Sequence, residues 1–274
     1  MSGVLYLVAT PIGNLEDITL RALKTLNESS IVLAENTKTS QKLFSAHGIN
    51  SKLVSFNDFS SNTKIVSLLR KLKGGDSMSL ISDAGTPLIS DPGFNLVSHA
   101  IDENIRIESI PGPSAVIAGL ITSGIDNQKF IFEGFLPKKN NELKKTFSKL
   151  NYESRTTIFF ESPHRIIKSF KVMEQILDSK RKLSIARELT KMHETILRGT
   201  IGEVSSFVEK DPHLTRGEIG LIFEGANNNF SDFDEKLDEL FNSLKKEVSL
   251  KKFSKVFSRI TNFSAKEIYN KYKE

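Results

Sequence analysis

The chain has 274 residues, 38% of them hydrophobic and 26% charged, with a formal net charge of +5. That length and composition call for a packed core in one large domain or two moderate ones, and exclude a disordered chain. The complete absence of cysteine excludes disulfides and thiolate chemistry, and fits a cytoplasmic protein.

The opening run MSGVLYLVAT has no basic leader, and its apolar stretch is too short for a signal or a membrane span, so no membrane partner is expected. It reads as a strand, Val4–Ala9, followed by an amphipathic helix over Leu15–Leu26. Strand Ile31–Ala34, helix Thr39–Ala46, strand Leu53–Phe56 and helix Thr63–Leu72 come next. Strand Ser77–Ile81 leads into SDAGTPLISDPG, after which helix Asn95–Ile101, strand Ile105–Ile110 and helix Ala115–Thr122 complete the first half. Such alternation argues for a doubly wound α/β layer with a largely parallel sheet.

A second α/β set follows, with strands at Phe130–Phe132, Thr157–Phe160, Leu183–Ala186, His193–Thr200 and Glu218–Phe223. Its helices fall near Glu142–Leu150, Arg165–Leu177 and Ile201–Val208. ANNNFSD reads as a linker to a tail of short helices, in which Phe253, Val256, Phe257 and Ile260 make an apolar stripe. Phe263, Ser264, Glu267 and Ile268 carry a capping-box and staple pattern, and the joint at Thr261–Phe263 permits either a helix-turn-helix or a small packed bundle. From Lys245 onward nine Lys/Arg face three Glu, so the tail holds the whole positive excess, a pattern found on nucleic-acid contacts and on solvated helix faces alike. The expected division is 1–113, 114–226 and a small basic helical domain at 231–274.

Three strand-to-helix junctions in the first half are dense in Gly, Pro and Ser/Thr: Thr10–Asn14, the loop after Ile81, and Ile110–Ser114. All follow strand C-termini, the edge at which open α/β sheets bind ligands. Glycine lets a backbone approach closely, proline holds it, and Ser114 is placed to cap the next helix. Neither GxxxxGK[ST] nor GxGxxG occurs at these junctions, which disfavours a P-loop or a Rossmann dinucleotide site. Asp83 and Asp91 would repel a bare phosphate; a sulfonium or an amino acid suits them better. The scattered histidines (47, 99, 164, 193, 213) offer no metal-binding pair, and no GxSxG elbow is present. In the second half, Glu161-Ser162-Pro163-His164-Arg165 closes a strand, with Ser162 expected as N-cap and Glu161, His164 and Arg165 left for substrate. Arg187 and Glu188 read by default as a surface ion pair, and Lys191 or Arg165 could neutralise RNA phosphates.

Six stretches, LYLVATPIGNLEDITLRAL, LISDAGTPLISDPG, IPGPSAVIAGLITSGI, FIFEGFLPKK, FFESPHRI and ARELTK, occur in one order across residues 4–225. Together they resemble the ribosomal small-subunit RNA 2′-O-methyltransferase I branch of the tetrapyrrole methylase superfamily. The basic tail ending SAKEIYNKY is similar to the C-terminal domain of that branch.

The resemblance implies two α/β domains of the tetrapyrrole methylase type with S-adenosyl-L-methionine in the cleft between them. It puts cofactor contacts on Asp83, Ala84, Gly85, Thr86, Ile89, Ser114 and Ala115, and more loosely on Glu161, Ser162 and Thr190, with Pro11 and Gly13 of the first junction beside them. It implies a homodimer that methylates a cytidine ribose at the decoding centre of 16S rRNA in the 30S particle. Lys38, His164, Arg165 and Arg187 are the candidate RNA contacts. The pattern departs from the family at Glu35-Asn36-Thr37-Lys38 and at Ser55–Ser60. Glu35, Lys38, Glu161, His164 and Lys191 are candidates for the base that takes the hydroxyl proton, with Lys191 and Glu35 favoured. The alternatives are a uroporphyrinogen-type C-methyltransferase and a catalytically weak rRNA-binding assembly factor.

Overall fold

The computed structural model describes residues 2–58, 60–211, 216–226, 230–259 and 263–273, with the side chains of 230–236 excepted. Phe59, His213 and the joint at 260–262 lie outside the described residues.

The first half builds β1 (Val4–Val8), α1 (Leu20–Glu28), β2 (Ile31–Ala34), α2 (Thr37–His47), β3 (Lys52–Ser55), α3 (Asn62–Lys73), β4 (Met78–Ile81), α4 (Phe94–Asp102) and β5 (Arg106–Ile110). The strands form an all-parallel sheet in the order β3-β2-β4-β1-β5. β2 and β4 are buried at every position, as a sheet covered on both faces requires. Their residues alternate between two cores. Leu33, Met78 and Leu80 pack with Leu68, Leu72 and Leu96 of α3 and α4, while Val32, Ala34 and Ile81 pack with Ala22, Leu26 and Phe44 of α1 and α2. Adjacent β1 and β4 send their chains to opposite sides, β1 towards β2 and β4 towards β5. Their loops therefore diverge and leave a crevice at the switch point.

The helix expected over Leu15–Leu26 is interrupted. A single 3-10 turn covers Leu15–Asp17, Ile18 is extended, and Thr19 caps α1 by accepting from the Ala22 amide at 3.1 Å. A threonine hydroxyl at that point offers the backbone a helix start that outcompetes continuation.

The second half continues with α5 (Ala115–Ser123), β6 (Phe130–Phe135), α6 (Asn140–Leu150), β7 (Thr156–Glu161), α7 (Ile166–Met173), β8 (Lys182–Arg187), β9 (Thr195–Thr200), α8 (Ile201–Lys210) and β10 (Ile219–Phe223). Its sheet, in the order β6-β7-β10-β8-β9, is parallel only between β6 and β7. The helix expected over Arg165–Leu177 begins as a 3-10 turn, Pro163–Arg165, and stops at Met173. One face packs on Phe147, Phe170 and Val204 of α6, α7 and α8; the other takes Val116 and Leu120 of α5. The chain thus crosses between the sheets at 111–114.

Contacts divide the chain into compact units at 1–226 and 227–274. The second unit holds α9 (Phe230–Leu244), α10 (Leu250–Phe257) and α11 (Ala265–Tyr272) around Leu237, Phe253 and Ile268. Phe241 stacks on Tyr272 at 4.2 Å, and Ser264 and Glu267 form the expected capping box. Val256 of the expected stripe is 47% exposed and lies outside this core. No helix among the described residues is long and apolar enough to cross a membrane.

Candidate functional site

The three Gly/Pro-rich junctions are tied to one another. Thr10 and Gly85 exchange two main-chain hydrogen bonds (2.9 and 3.0 Å), Ala9 N donates to Ile110 O at 3.1 Å, and the Thr86 hydroxyl donates to Pro113 O at 3.1 Å. Gly85 has φ +76°, and a Cβ there would stand 3.2 Å from Ile12 Cγ2. Leu88 (φ +72°) and Ser90 (φ +67°) also hold left-handed conformations, costly for residues with a Cβ. Backbone strain of this kind clusters at ligand clamps.

These loops wall a cavity of about 560 Å³. The first half contributes Ile12, Glu35, the Asp83–Thr86 segment and Ile89–Asp91; the crossover contributes Ser114–Val116. Ser114 caps α5 as expected, its hydroxyl accepting from Ile117 N at 3.5 Å, and so points the positive end of that helix at the cavity. The second half contributes Phe135, Phe160–Pro163, Ala186, Leu189 and Gly217–Gly220.

The carboxylates of the first-half wall are uncomfortable. Burial pushes Glu35 above the usual carboxylate range, and Asp83, Asp91 and Asp58 push it further. Burial raises Asp83, against the opposing hydrogen bond from Asn36 N (3.1 Å). It raises Asp91 too, against one from Ser82. Asn36, at a departure from the family pattern, caps α2 by accepting from Lys38 N at 3.0 Å.

The second-half charges are spent internally, which corrects several expectations. Glu161 is 2% exposed, accepts from Ser162 N at 2.6 Å and from the Ser169 hydroxyl, and pairs with Arg165 at 2.5 Å. Arg165 also donates to Leu136 O at 3.2 Å, so neither residue is left for substrate. Ser162 holds the N-cap position without a side-chain capping bond. Arg187 is no surface partner of Glu188 and no exposed RNA contact: it is buried and donates to Arg216 O (2.7 Å) and His193 O (3.2 Å). Glu188 instead pairs with Lys191 at 2.8 Å. Burial alone would lower Lys191, but Glu188 and Glu218 (3.3 Å) outweigh it and hold the ammonium above its ordinary range. A base must be deprotonated, so this environment opposes that role for Lys191.

Pro11, Gly13 and Thr190 do not line the cavity; their neighbours Ile12 and Leu189 do. A Cβ on Gly13 would stand 2.4 Å from Lys191 Cγ, and Thr190 Oγ1 accepts from Asn14 N at 3.1 Å. These residues bring the two halves into contact beside the cleft. Lys38 and His164 are exposed and outside the lining. Asp91 lines the cavity beside Asp83, as the reading of their loop expected, while Phe135, Phe160 and the Gly217–Gly220 segment line it without having been singled out. Gly134 inside a strand pattern was the one available signal for Phe135. Among the described residues no cluster could hold a metal ion.

A sequence profile of the Tetrapyrrole (Corrin/Porphyrin) Methylases matches residues 4–205. A Haemophilus influenzae protein named Ribosomal RNA small subunit methyltransferase I is 40% identical over 98% of this chain and 96% of its own. A Thermotoga maritima protein of the same name is 44% identical over 81% of this chain and 99% of its own. Among solved structures, diphthine synthase superposes with a TM-score of 0.61 at 12% identity, covering 81% of this chain and 90% of that one. Uroporphyrin-III-C-methyltransferase from Thermus thermophilus gives 0.55 at 15% identity, covering 84% and 98%. At such identities these two likenesses speak for the fold.

Proposed function

We propose that this chain, which belongs to the Tetrapyrrole (Corrin/Porphyrin) Methylases family, methylates the 2′-hydroxyl of a cytidine ribose in small-subunit rRNA, with S-adenosylmethionine as donor. The observation that carries the reading is the cleft itself: strained main chain and desolvated carboxylates on one wall, apolar side chains and ion-paired carboxylates on the other, in a protein similar over nearly its whole length to rRNA methyltransferases.

The residues present fit that donor. The volume lies within the usual 300–1,000 Å³ of small-molecule sites. Ile12, Ile89, Leu189 and Ile219 offer apolar surface, Gly85 keeps the wall clear where a Cβ would crowd Ile12, and Glu35, Asp83 and Asp91 favour a cation. The donor, when bound, supplies a sulfonium methyl open to in-line attack. Ala84, Gly85, Thr86 and Ala115 would hold and orient it, with residues 160–163 lining the same cavity. Glu35 takes the hydroxyl proton: its raised pKa makes it a stronger base than an ordinary carboxylate. Alignment in the closed cleft supplies much of the remaining rate.

Three domains, 1–113, 114–226 and 231–274, complete the reading, with a homodimer acting on 30S particles in the cytoplasm. Lys38 and His164, both exposed, remain candidate contacts for the RNA strand. The test is transfer of labelled methyl from S-adenosylmethionine to 30S particles and, in parallel, to uroporphyrinogen. Label in the RNA is expected; label only in the tetrapyrrole, or none, overturns the reading.

A further inference from the structure

Strand β6 contains an irregularity that neither the donor site nor the core explains. Phe132 pairs with Ile158 and Phe135 with Phe160, so the register slips by one residue between them. Gly134 sits in the slip at φ +72°, a conformation that favours glycine. Successive strand residues point to opposite faces, so without the extra residue position 134 would oppose Phe160 and Phe135 would turn away. With it, Phe135 joins Phe132 on the sheet face of Phe160, and of these rings Phe135 and Phe160 line the cavity. Both rings meet Phe160 edge-on, at centroid distances of 5.5 and 4.9 Å.

The outcome is a large aromatic ring that lines the cavity yet stays 57% exposed. An apolar ring held in water at a cavity mouth has found no core, and bulges that re-aim a side chain are enriched at sheet edges such as β6 and next to active sites. The chain then runs through Leu136 and Pro137 into Lys138 and Lys139, both exposed, Lys139 in a solvent-facing ion pair with Glu142 at 3.3 Å that a phosphate can displace. Arg165 fastens this segment through Leu136 O, which brings the exposed His164 to the same rim. On the first-half wall stand Glu35, Asp83 and Asp91, which repel phosphates inside the cavity; Ser90, beside Asp91, lies 3.5 Å from a Cβ placed on Gly134. An RNA strand entering the cleft is therefore driven to the rim of Phe135, Lys138 and Lys139, where cations meet phosphates and a flat apolar face meets a base.

We propose that Phe135 is the platform on which a base of the RNA substrate stacks, with Lys138 and Lys139 taking the adjoining phosphates. This rests on the RNA-methyltransferase reading above. Stacking on an aromatic side chain tolerates any base and is lost when the ring is removed.

The experiment compares wild type, Phe135→Ala, Phe135→Leu and Phe135→Trp in steady-state methylation of 30S particles, with donor affinity measured separately by equilibrium dialysis and folding by thermal melting. The alanine and leucine variants should raise KM for the particle about ten-fold or more, leave donor Kd within about two-fold and melt like wild type, while tryptophan restores the wild-type KM. An unchanged KM in the alanine variant, rescue by leucine, or a donor Kd that rises with KM overturns the platform alone. A wild-type protein that does not methylate the particle overturns the functional reading, and the platform with it.

Discussion

The two walls of the cavity carry similar numbers of acidic groups and treat them in opposite ways. On the first-half wall Glu35, Asp83 and Asp91 are partly desolvated and repel one another, and no cationic side chain among the described residues offsets them. On the second-half wall Glu161 is consumed by Arg165 and Ser169, and Glu218 pairs with Lys191. The first wall stores electrostatic cost where a cationic ligand can relieve it; the second uses charge as scaffolding. Removing a carboxylate should therefore have opposite consequences on the two sides.

The largest effect is expected from Glu161→Ala. It strands the Arg165 guanidinium and the Ser169 hydroxyl, and should cost about 3 kcal/mol of stability, read as a lowered midpoint in urea unfolding. An unchanged midpoint would show that the pair is not scaffolding. Next, Glu35→Gln should lower kcat about a hundred-fold while the protein folds normally. The pH profile sharpens this. Glu35 works deprotonated and its pKa is raised above 4.5, so the rate should climb with pH through that raised value and then level off. A rate still rising beyond pH 10 would instead mark Lys191, whose pKa is raised from 10.5.

Thr190→Val removes the acceptor for Asn14 N and should cost about 1 kcal/mol of stability, with a small loss of donor affinity because Thr190 braces the cleft from outside. A loss of affinity without any loss of stability would return Thr190 to the ligand. The smallest effect, and the reverse sign, is expected from Asp91→Asn: Tm rises by about one to two degrees at neutral pH. The sign follows from linkage. A carboxyl whose folded pKa is raised binds more protons folded than unfolded, so its ionisation erodes stability as pH rises from the unfolded to the folded pKa. The gain should disappear well below pH 4, where both states hold the proton. Donor affinity should fall in the same variant.

Most strands and helices were legible because buried parallel strands read as unbroken apolar runs, as at Ile31–Ala34, and helices as spaced leucines, as at Leu68, Leu69 and Leu72. The cofactor-side loop was legible from its glycines and prolines. Strand pairing in the second sheet was not, since register depends on contacts far apart in sequence. The short Glu188–Glu194 connection, too tight for a parallel crossover, was the unused signal that β8 and β9 run antiparallel. Charged residues misled most: a Glu, Arg or Lys at a strand end looks the same whether it faces a ligand or, like Arg187, two main-chain carbonyls. Phe135 escaped because a one-residue bulge reverses the face that alternation assigns.

The most direct test maps 2′-O-methyl groups along small-subunit rRNA from cells lacking this protein and from the same cells with it restored. One ribose methyl, on a decoding-centre cytidine, is expected to vanish and return. An identical map in both would contradict it.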